Sequence, residues 1–519
     1  MTARSRTYDV CILGAGIAGG LVAHELARHG RKVLIVEAGS HFDFNRRLEQ
    51  LRRHEILGDP LWPWTQDGRD EFVDSSSDEL GYSYSLNQLR VKAVGGSTLH
   101  WGGLAQRLRE SDFRSHTTYG YGMDWPIQYA EIEPYYCRAE WEIGVSGVQN
   151  PDDPPRSKPF PMPAFPHGYY QRLWFPAAER LGMRLSAVSH ARNSKPYAGR
   201  SQCVAYAICR LCPSGARYSA DRHIHLAEVT GNCDLLTETV ARRIETDSNG
   251  RVTRVHVSGL DGREFDVKAD NYVVACHAIE SARLLLLSGV GNDADQVGRN
   301  LMEHLYLGMG GFQSEHLYPG RIGFGTLESN HYYDGPERKD LGAIKIEFGN
   351  RAYNTLRHGI NDGQWGTELA KHDDELFGKW LEVGAETEHR PNPNSRITLD
   401  PDITDQFGDP APHIHFELSE VDRRTHDFAA GILTKLLEAR GVKDVTVTQR
   451  FGPGAHHMGT CRMSRRPEDG VVDEHCRVHG LKNLYVAGSS VFPTSAARQP
   501  TLTIAALSLR LADRILQLT

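Results

Sequence analysis

The sequence predicts a mixed α/β fold, in which a domain built on a parallel sheet alternates along the chain with a domain built on an antiparallel sheet. Three observations predict it. Two short apolar runs, Tyr8–Leu13 and residues 32–36, flank glycines and a helix-like pattern, as in a βαβ unit. Short strand-like segments separated by turns occupy residues 306–450. Residues 500–518 carry the apolar period of a helix.

The first βαβ unit predicts a dinucleotide cofactor. Gly14 would make the tight turn after the first strand, and Gly16 would let backbone N–H groups approach a pyrophosphate. Gly19 would allow the helix and the strand to pack closely. Glu37 ends the second strand and would accept hydrogen bonds from a ribose hydroxyl. The pattern alone fits both NAD and FAD, but its position at the start of a long chain favours FAD.

The C-terminal part of the chain carries a second group of polar residues. His456 and His457 lie in a loop bounded by glycines, and Gln499 immediately precedes Pro500. A proline in this position is typical of the first residue of a helix, whose positive dipole end favours negative charge nearby. The layout suits chemistry on a cofactor or substrate that becomes an anion, although paired loop histidines are often structural.

Together with these two ends of the chain, residues 90–103, 297–304 and 483–491 resemble the glucose–methanol–choline (GMC) family of FAD-dependent alcohol oxidoreductases. The matching segments follow the family's order from Tyr8 to the C-terminus. Residues 124–126, 133–136 and 393–400 resemble the bacterial sugar and polyol dehydrogenase branch, which includes fructose, gluconate, FAD-glucose and glucoside 3-dehydrogenases. The resemblance implies a Rossmann-like FAD-binding domain interleaved with an antiparallel-sheet substrate domain, the GMC-type fold.

The domains are expected to be discontinuous. Residues 1–45, 85–110, 200–305 and 450–519 are assigned to the FAD-binding domain, and residues 46–84, 111–199 and 306–449 to the substrate-binding domain and connections. Residues 234–240 and 252–257 are expected to form antiparallel strands. Residues 396–399 and 413–418 are expected to contribute to a sheet that covers the flavin. The strand at 271–275 is expected to lead back to the cofactor, although this chain has His277 where the family usually has glycine.

The resemblance also implies the catalytic residues. Hydride transfer from an alcohol to flavin requires a base for the hydroxyl proton, and histidine suits this because its pKa lies near working pH. The first histidine of the family's block corresponds to His456, whereas His457 is expected to be a packing or loop residue. The second catalytic position, His or Asn in the family, is Gln499 here, so the geometry of oxyanion binding should differ.

The other residues expected to contact the flavin come from the family's remaining blocks. They are Gly95, Gly96, Ser97, His100, Val240, Gly488, Ser489, Pro500 and Thr501. His100 falls where some members carry the histidine covalently bonded to flavin, but the same loop packs around the ring in members without that bond. Both alternatives remain open for His100.

The nine cysteines are odd in number and no secretory signal precedes them, which argues against a disulfide framework. Cys203, Cys209 and Cys212 are closely spaced, and such a set is typical of an iron–sulfur cluster. Zinc fits less well because no fourth ligand lies at the usual spacing. Several dehydrogenases of the resembling branch carry a 3Fe-4S cluster, and the alternative is three reduced thiols. The remaining cysteines are expected to pack as small apolar residues: Cys11, Cys137, Cys233, Cys276, Cys461 and Cys476.

Composition excludes several classes of function. The chain of 519 residues is long enough for two sizeable cores. A net charge of −7 without a basic stripe argues against a nucleic-acid partner. No run of about eighteen apolar residues is present, so no transmembrane segment is expected. Residues 1–7 carry no targeting pattern, which predicts a cytoplasmic protein, or a periplasmic one exported with a signal-bearing partner subunit.

These observations predict an FAD-dependent dehydrogenase that oxidises a hydroxyl of a sugar, glycoside or polyol by hydride transfer to flavin N5. The electrons would pass through the cluster to a cytochrome c or quinone acceptor, and a small subunit is a further expected partner. One alternative is an oxidase that uses oxygen, for example in glycoside or aminoglycoside tailoring. Another is a flavoprotein for electron transfer or binding without alcohol turnover.

Overall fold

The computed structural model describes residues 8–57, 71–84, 86–205, 209, 211–317, 324–349 and 354–518. The strands are β1 (Tyr8–Leu13), β2 (Val33–Val36), β3 (Val73–Asp74), β4 (Ser146–Gly147), β5 (Met162–Pro163), β6 (Ser186–Ala187), β7 (Cys233–Leu236), β8 (Thr239–Thr246), β9 (Val252–Gly259), β10 (Glu264–Val267), β11 (Ala269–Val274), β12 (Leu305–Phe312), β13 (Leu327–Ser329), β14 (Ile344–Phe348), β15 (Trp380–Thr387), β16 (Arg396–Thr404), β17 (Pro410–His415), β18 (Thr446–Pro453) and β19 (Leu484–Val486). The helices are α1 (Ile17–Arg28), α2 (Phe44–Leu57), α3 (Leu86–Leu89), α4 (Ser115–Tyr119), α5 (Tyr129–Ile143), α6 (Tyr169–Arg172), α7 (Phe175–Arg180), α8 (Asp221–Val229), α9 (His277–Ser288), α10 (Thr355–Asn361), α11 (Gly366–Leu376), α12 (Glu420–Ala439) and α13 (Thr501–Leu518).

A parallel sheet of order β19-β11-β1-β2-β7 lies in the first core. Its central strands form because their residues are apolar almost throughout, and β2 and residues 10–13 are buried. Strands buried on both faces are typical of α/β proteins. Helix α1 packs against α8 and α13 beside this sheet. The predicted α/β fold is therefore confirmed, including the strand expected at 271–275.

The single antiparallel strand predicted for residues 234–240 is wrong. Strand β7 ends at Leu236 and pairs in parallel with β2, whereas β8 begins at Thr239 and pairs antiparallel with β9. Glu238 separates them in the left-handed conformation, with φ of 52°. Its N–H donates to the Gly39 carbonyl at 3.0 Å. The polar turn thus redirects the chain from one sheet into another.

A six-stranded antiparallel sheet, of order β18-β12-β15-β14-β13-β6, forms the second core. Ile344 and Ile346 of β14 face an apolar layer that is completed by α12 and α7. Side chains alternate along a strand, so Lys345 and Glu347 lie on the opposite face, together with Glu386 of β15. We call this second surface the polar face of the six-stranded sheet.

Residues 396–399 and 413–418 do not belong to that sheet, so this part of the prediction is wrong. They lie in a separate three-stranded sheet of order β16-β17-β3, and β17 ends at His415. The two strands pair with each other and pack against α9, beside the parallel sheet. Local alternation identified strands here but could not identify which sheet they join.

The carboxyl ends of β1, β2 and β11 lie at one edge of the parallel sheet, which is where ligands bind in open α/β folds. Gly14, Glu37 and Ala275 follow these strands directly. Helix α13 starts at Thr501, one residue later than predicted, and the preceding Pro500 carbonyl accepts its first helical hydrogen bond. Within the described residues, no helix is both long and apolar enough to cross a membrane. Residues 1–7, on which the targeting prediction rests, lie outside the described residues.

Candidate active site

A cleft of about 1500 Å³ separates the edge of the parallel sheet from the polar face of the six-stranded sheet. Most of the predicted site residues line it. They are Gly14, Gly16, Glu37, Gly96, Ser97, His100, Cys209, Val240, His456, Gly488, Ser489, Gln499, Pro500 and Thr501. The cleft is not lined by four of the predicted residues: Gly19, Gly95, Cys203 and Cys212.

The glycine motif has the close backbone packing that a bound pyrophosphate requires. A Cβ on Gly14 would lie 2.4 Å from the Ala275 carbonyl oxygen, and one on Gly19 would lie 2.0 Å from the Gly14 carbonyl oxygen. A Cβ on Gly16 would meet no atom within 4 Å and would instead occupy the cleft. Gly14 and Gly19 are therefore required by the fold, and Gly16 leaves free the space that a dinucleotide needs.

Glu37 connects the second strand to this turn. Its side chain is buried, and its two carboxylate oxygens accept hydrogen bonds from the N–H groups of Ala15 and Gly39, each at 2.8 Å. Burial raises the pKa of Glu37, although the backbone N–H groups oppose that shift. Each oxygen retains a second lone pair, so Glu37 can also accept from a ribose hydroxyl in the cleft.

The loop at 95–100 is fixed to the glycine motif and to Arg217, which follows the segment with Cys203, Cys209 and Cys212 (the cysteine segment). The Gly95 N–H donates to the Ala15 carbonyl at 2.8 Å. Buried Arg217 donates to the carbonyls of Thr98 and Leu99, each at 2.7 Å. His100 follows a single 3₁₀ turn, Gly96–Leu99, and lines the cleft.

His456 is held by a second histidine that the sequence did not identify. Its Nδ1 lies 3.0 Å from Nδ1 of His304, and Nε2 of His304 lies 3.1 Å from the Ser495 carbonyl oxygen. A carbonyl only accepts, so His304 must carry its proton on Nε2 and accept at Nδ1. His456 then carries its proton on Nδ1. This assignment follows from the hydrogen-bond network, and it leaves Nε2 of His456 with a free lone pair.

The environment of His456 keeps its ring neutral. Burial lowers the pKa of His456 well below its usual value, and the neighbouring His304 and Lys345 act in the same direction. Its backbone N–H donates to Glu303 Oε1 at 2.7 Å, which fixes the loop. Burial raises the pKa of Glu303 to about 8, so this carboxyl group is largely protonated at neutral pH. His456 therefore presents a neutral imidazole to the cleft.

Gln499 lies on the same polar face, and all its amide groups are engaged. Its Oε1 accepts from Lys345 Nζ at 2.7 Å. Its Nε2 donates to Glu386 Oε2 at 2.8 Å and to Glu347 Oε1 at 3.2 Å. Glu386 also lies 3.5 Å from His456 Nδ1, so one carboxylate contacts both predicted catalytic residues. Sequence reasoning missed Lys345, Glu347 and Glu386, since no motif marks them.

Lys345 is fully buried between these acids. Its Nζ lies 2.5 Å from Glu386 Oε2 and 2.8 Å from Glu347 Oε1. Burial lowers the pKa of the lysine, but the two carboxylates outweigh burial and raise it above its usual value. Lys345 therefore stays charged and compensates the negative charge of the polar face.

His457 points away from His456. Its Nδ1 lies 3.2 Å from Nε2 of His277, and its Nε2 lies 3.5 Å from Glu303 Oε2. Burial lowers the pKa of both His457 and His277. His277 has φ of 70°, the left-handed conformation that favours glycine, and it lines the cleft. The ring that replaces the family's glycine thus pairs with His457.

All nine cysteines are unpaired, as the sequence predicts. Nη1 of Arg192 lies 3.1 Å from Cys209 Sγ and 3.9 Å from Cys203 Sγ, while the Arg217 N–H donates to Cys212 Sγ at 3.2 Å. The three sulfurs, all in the described part of the chain, are not within 4.8 Å of one another as a single metal ion would require. Residues 206–208 and 210 of this segment lie outside the described residues.

Known proteins resemble this chain along its whole length. It is 33% identical to the fructose dehydrogenase large subunit of Gluconobacter japonicus, over 99% of each chain. It is 30% identical to the 6'''-hydroxyparomomycin C oxidase of Streptomyces lividus, over 98% of this chain and 91% of that one. The solved structure of formate oxidase from Aspergillus oryzae matches with a TM-score of 0.68 at 18% identity, over 98% of each chain.

Two models of one family match separate parts of the sequence. The GMC oxidoreductase models match residues 85–306 and 391–508, and a model of FAD dependent oxidoreductases matches residues 9–153. The latter span contains the glycine motif and Glu37, whose geometry fits a dinucleotide. With the 33% identity to a full-length relative, these matches show that the chain is an FAD-dependent oxidoreductase of the GMC family.

Proposed function

We propose that this protein is a dehydrogenase that oxidises a hydroxyl group of a sugar, glycoside or related polyol, with His456 as the base. The observation that carries the proposal is the His304–His456 pair, whose hydrogen bonds leave Nε2 of a neutral imidazole available in the cleft. FAD, when bound at the glycine motif, supplies the hydride acceptor. His456 Nε2 takes the hydroxyl proton as the carbon–hydrogen bond breaks.

The polar face supports a polyhydroxylated substrate. Carboxylates accept hydrogen bonds from hydroxyl groups, and Glu347 and Glu386 both line the cleft. Gln499 would donate to the alcohol oxygen only by giving up a hydrogen bond to Glu347 or Glu386. The N-terminus of α13 borders the same space, where its dipole favours developing negative charge. The fructose dehydrogenase large subunit and the paromomycin-type oxidase among the relatives also favour a carbohydrate.

The cysteine segment supports an electron exit. Cys209 lines the cleft. N–H groups of Arg192 and Arg217 donate to the sulfurs of Cys209 and Cys212, and hydrogen bonds to cysteine sulfur are also found around iron–sulfur clusters. We propose that Cys203, Cys209 and Cys212 hold a 3Fe-4S cluster, which would supply a one-electron relay. The name of one relative, a large subunit, supports a small partner subunit. We propose that a cytochrome c or a quinone accepts the electrons.

An oxidase is the second candidate, because one relative at 30% identity is named an oxidase. In that case oxygen would take the electrons, peroxide would form, and no cluster would be needed. The two candidates share the chemistry at His456 and differ in the acceptor that reoxidises the flavin.

The first prediction tests the substrate class. Anaerobic addition of a panel of sugars, glycosides, polyols and simple alcohols to the FAD-loaded protein should bleach the visible flavin absorption with at least one polyhydroxylated compound. Simple alcohols should act much more slowly, because they lack hydroxyls for Glu347 and Glu386. Protein that dithionite bleaches but that no member of the panel reduces would instead be an electron-transfer or binding flavoprotein.

The second prediction concerns His456. Replacing it in His456→Ala should slow flavin reduction by about two to four orders of magnitude, the usual contribution of a positioned base. FAD content should be unchanged, because the glycine motif is untouched. The matched control is His457→Asn, which changes the neighbouring ring that faces His277; there the rate should change only a few-fold. The opposite ranking of the two variants would assign the base to His457.

The pH dependence of flavin reduction is a second test of His456 as the base. Only neutral His456 can accept a proton, and its pKa is below the usual value, so the base form persists as pH falls. Stopped-flow reduction rates should therefore stay level from pH 8 through the usual histidine pKa of about 6.5 and fall only at more acidic pH. An inflection centred near 6.5 that disappears in His456→Ala would contradict the proposed environment of this residue.

The third prediction concerns the cysteines. Anaerobically purified protein should contain about three irons per chain, and Cys209→Ser should lose them and the ability to reduce a cytochrome or quinone. Sugar-driven flavin reduction should persist, since His456 is unchanged. Cys137→Ser is the matched control, because that thiol hydrogen-bonds Glu133 elsewhere and its replacement should keep the iron. Iron-free wild-type protein that forms peroxide would favour the oxidase.

A further inference from the structure

A second cluster of histidine and carboxylate side chains lies outside the cleft. His24 is on α1, Glu142 on α5 and His223 on α8, and none of the three lines the cleft. Each offers one ligand atom, and these atoms lie within 4.8 Å of one another. Three separate helices thus bring a His₂Glu set to one point.

The spacing within the cluster is compatible with metal ligation. His223 Nε2 lies 3.5 Å from Glu142 Oε2, a hydrogen bond at the upper limit of length. A good N–H···O hydrogen bond between such groups would be about 2.7–3.2 Å long. Two ligands of a tetrahedral zinc ion, each bonded at about 2.0–2.2 Å, lie about 3.4 Å apart. The His24 ring packs edge to face against the His223 ring, with centroids 5.1 Å apart. A ring nitrogen of His24 lies within 4.8 Å of the other two ligand atoms.

Surrounding groups orient two of the three side chains. Nδ1 of His223 lies 2.8 Å from the Tyr218 hydroxyl, which leaves Nε2 to face the centre of the cluster. Nη1 of Arg28 lies 3.4 Å from Glu142 Oε1, which leaves Oε2 to face the same centre. The charge of Arg28 is shared with Glu25, at 2.6 Å. Outer partners that hold the non-ligating atom of a histidine or carboxylate are typical of protein metal sites.

The cleft contains a comparable set, His304, Glu386 and His456, but its surroundings disfavour a cation. Lys345 Nζ already lies 2.5 Å from Glu386. A divalent ion there would sit beside a buried ammonium group, and the two positive charges would repel each other. In the described part of the chain, no lysine contacts the cluster on the three helices. Its Arg28 pairs with Glu25, which Arg138 also contacts.

We propose that His24, Glu142 and His223 bind a divalent ion of the zinc class, with water as the fourth ligand. Two imidazoles and one carboxylate suit Zn²⁺, and Co²⁺ and Ni²⁺ accept the same ligands. Glu142 is partly exposed, with 24% of its side chain accessible, so water can reach this side of the cluster. The ion joins α1, which begins directly after Gly16, to α5 and α8. Its role is structural: it restrains the helix that supports the FAD site, and takes no part in turnover.

The test uses full-length, FAD-loaded protein from which metals have been removed by a chelator. Titration with Co²⁺ should give a visible ligand-field band at one ion per chain, and Zn²⁺ should displace it. Zinc should also raise the melting temperature and slow the loss of FAD. These readouts are independent of turnover, so they remain valid even if the proposed substrate class is wrong.

Two variants remove one ligand each. Glu142→Gln keeps the size of the side chain but not its charge, and His24→Gln changes a partly exposed residue. Each should weaken Co²⁺ binding at least about tenfold and reduce the zinc-dependent rise in melting temperature at a fixed zinc concentration. His225→Gln, an exposed histidine on the same helix as His223, is the matched control and should behave as wild type.

Three results would overturn the proposal. One is the absence of Co²⁺ binding at submillimolar concentration in the wild type. Another is binding that is unchanged in both Glu142→Gln and His24→Gln. The third is binding that survives in those variants and is lost in His456→Ala, which would place the ion in the cleft.

Discussion

The arrangement of the candidate active-site cleft depends on the buried ion pair between Lys345 and Glu386. The two residues are direct cross-strand neighbours on β14 and β15, and their charged atoms are 2.5 Å apart. Glu386 also contacts His456 and Gln499, which come from different segments of the C-terminal part of the chain. Removing one partner of such a pair leaves an uncompensated charge, at a cost of about 3–5 kcal/mol. The pair therefore fixes the positions of His456 and Gln499 relative to the six-stranded sheet.

The parallel sheet contributes the other wall of the cleft. Its glycine motif is formed by backbone contacts that no larger residue could make, at Gly14 and Gly19 in particular. Residues outside this wall determine which ring nitrogen of His456 carries the proton. The Ser495 carbonyl determines the tautomer of His304, and His304 then determines that of His456. His456, the proposed base, thus has a defined free lone pair in a space shaped for a dinucleotide. The proposed chemistry requires both sheets, because each contributes one wall of the cleft.

Local sequence patterns predicted the features that depend on neighbouring residues. The glycine motif, strand β1, strand β11 and the start of α13 follow from spacing and apolar periods over a few residues. The same reasoning failed at residues 234–240, because apolar alternation continues through a turn that Glu238 makes in a left-handed conformation. It also misplaced residues 396–399, since alternation identifies a strand but not its partners.

The polar face could not be predicted for a related reason. Lys345 and Glu347 alternate with apolar residues on β14, a pattern that is equally typical of a strand with one face in solvent. Their importance arises from Glu386 and Gln499, which are distant in sequence and meet them only in the folded chain. His304 likewise lies far from His456 in the sequence. Long-range pairing of charged groups leaves no local motif.

The most direct test of this account is the rate of anaerobic flavin reduction by a bleaching sugar in Lys345→Met, measured beside its FAD content. The FAD content should be full, because the glycine motif is separate from the ion pair. The reduction rate should be lower by about 100-fold, the effect expected when catalytic groups shift by about 1 Å. A rate equal to that of the wild type, in protein that retains its FAD, would contradict the claim that the Lys345–Glu386 pair positions His456 and Gln499.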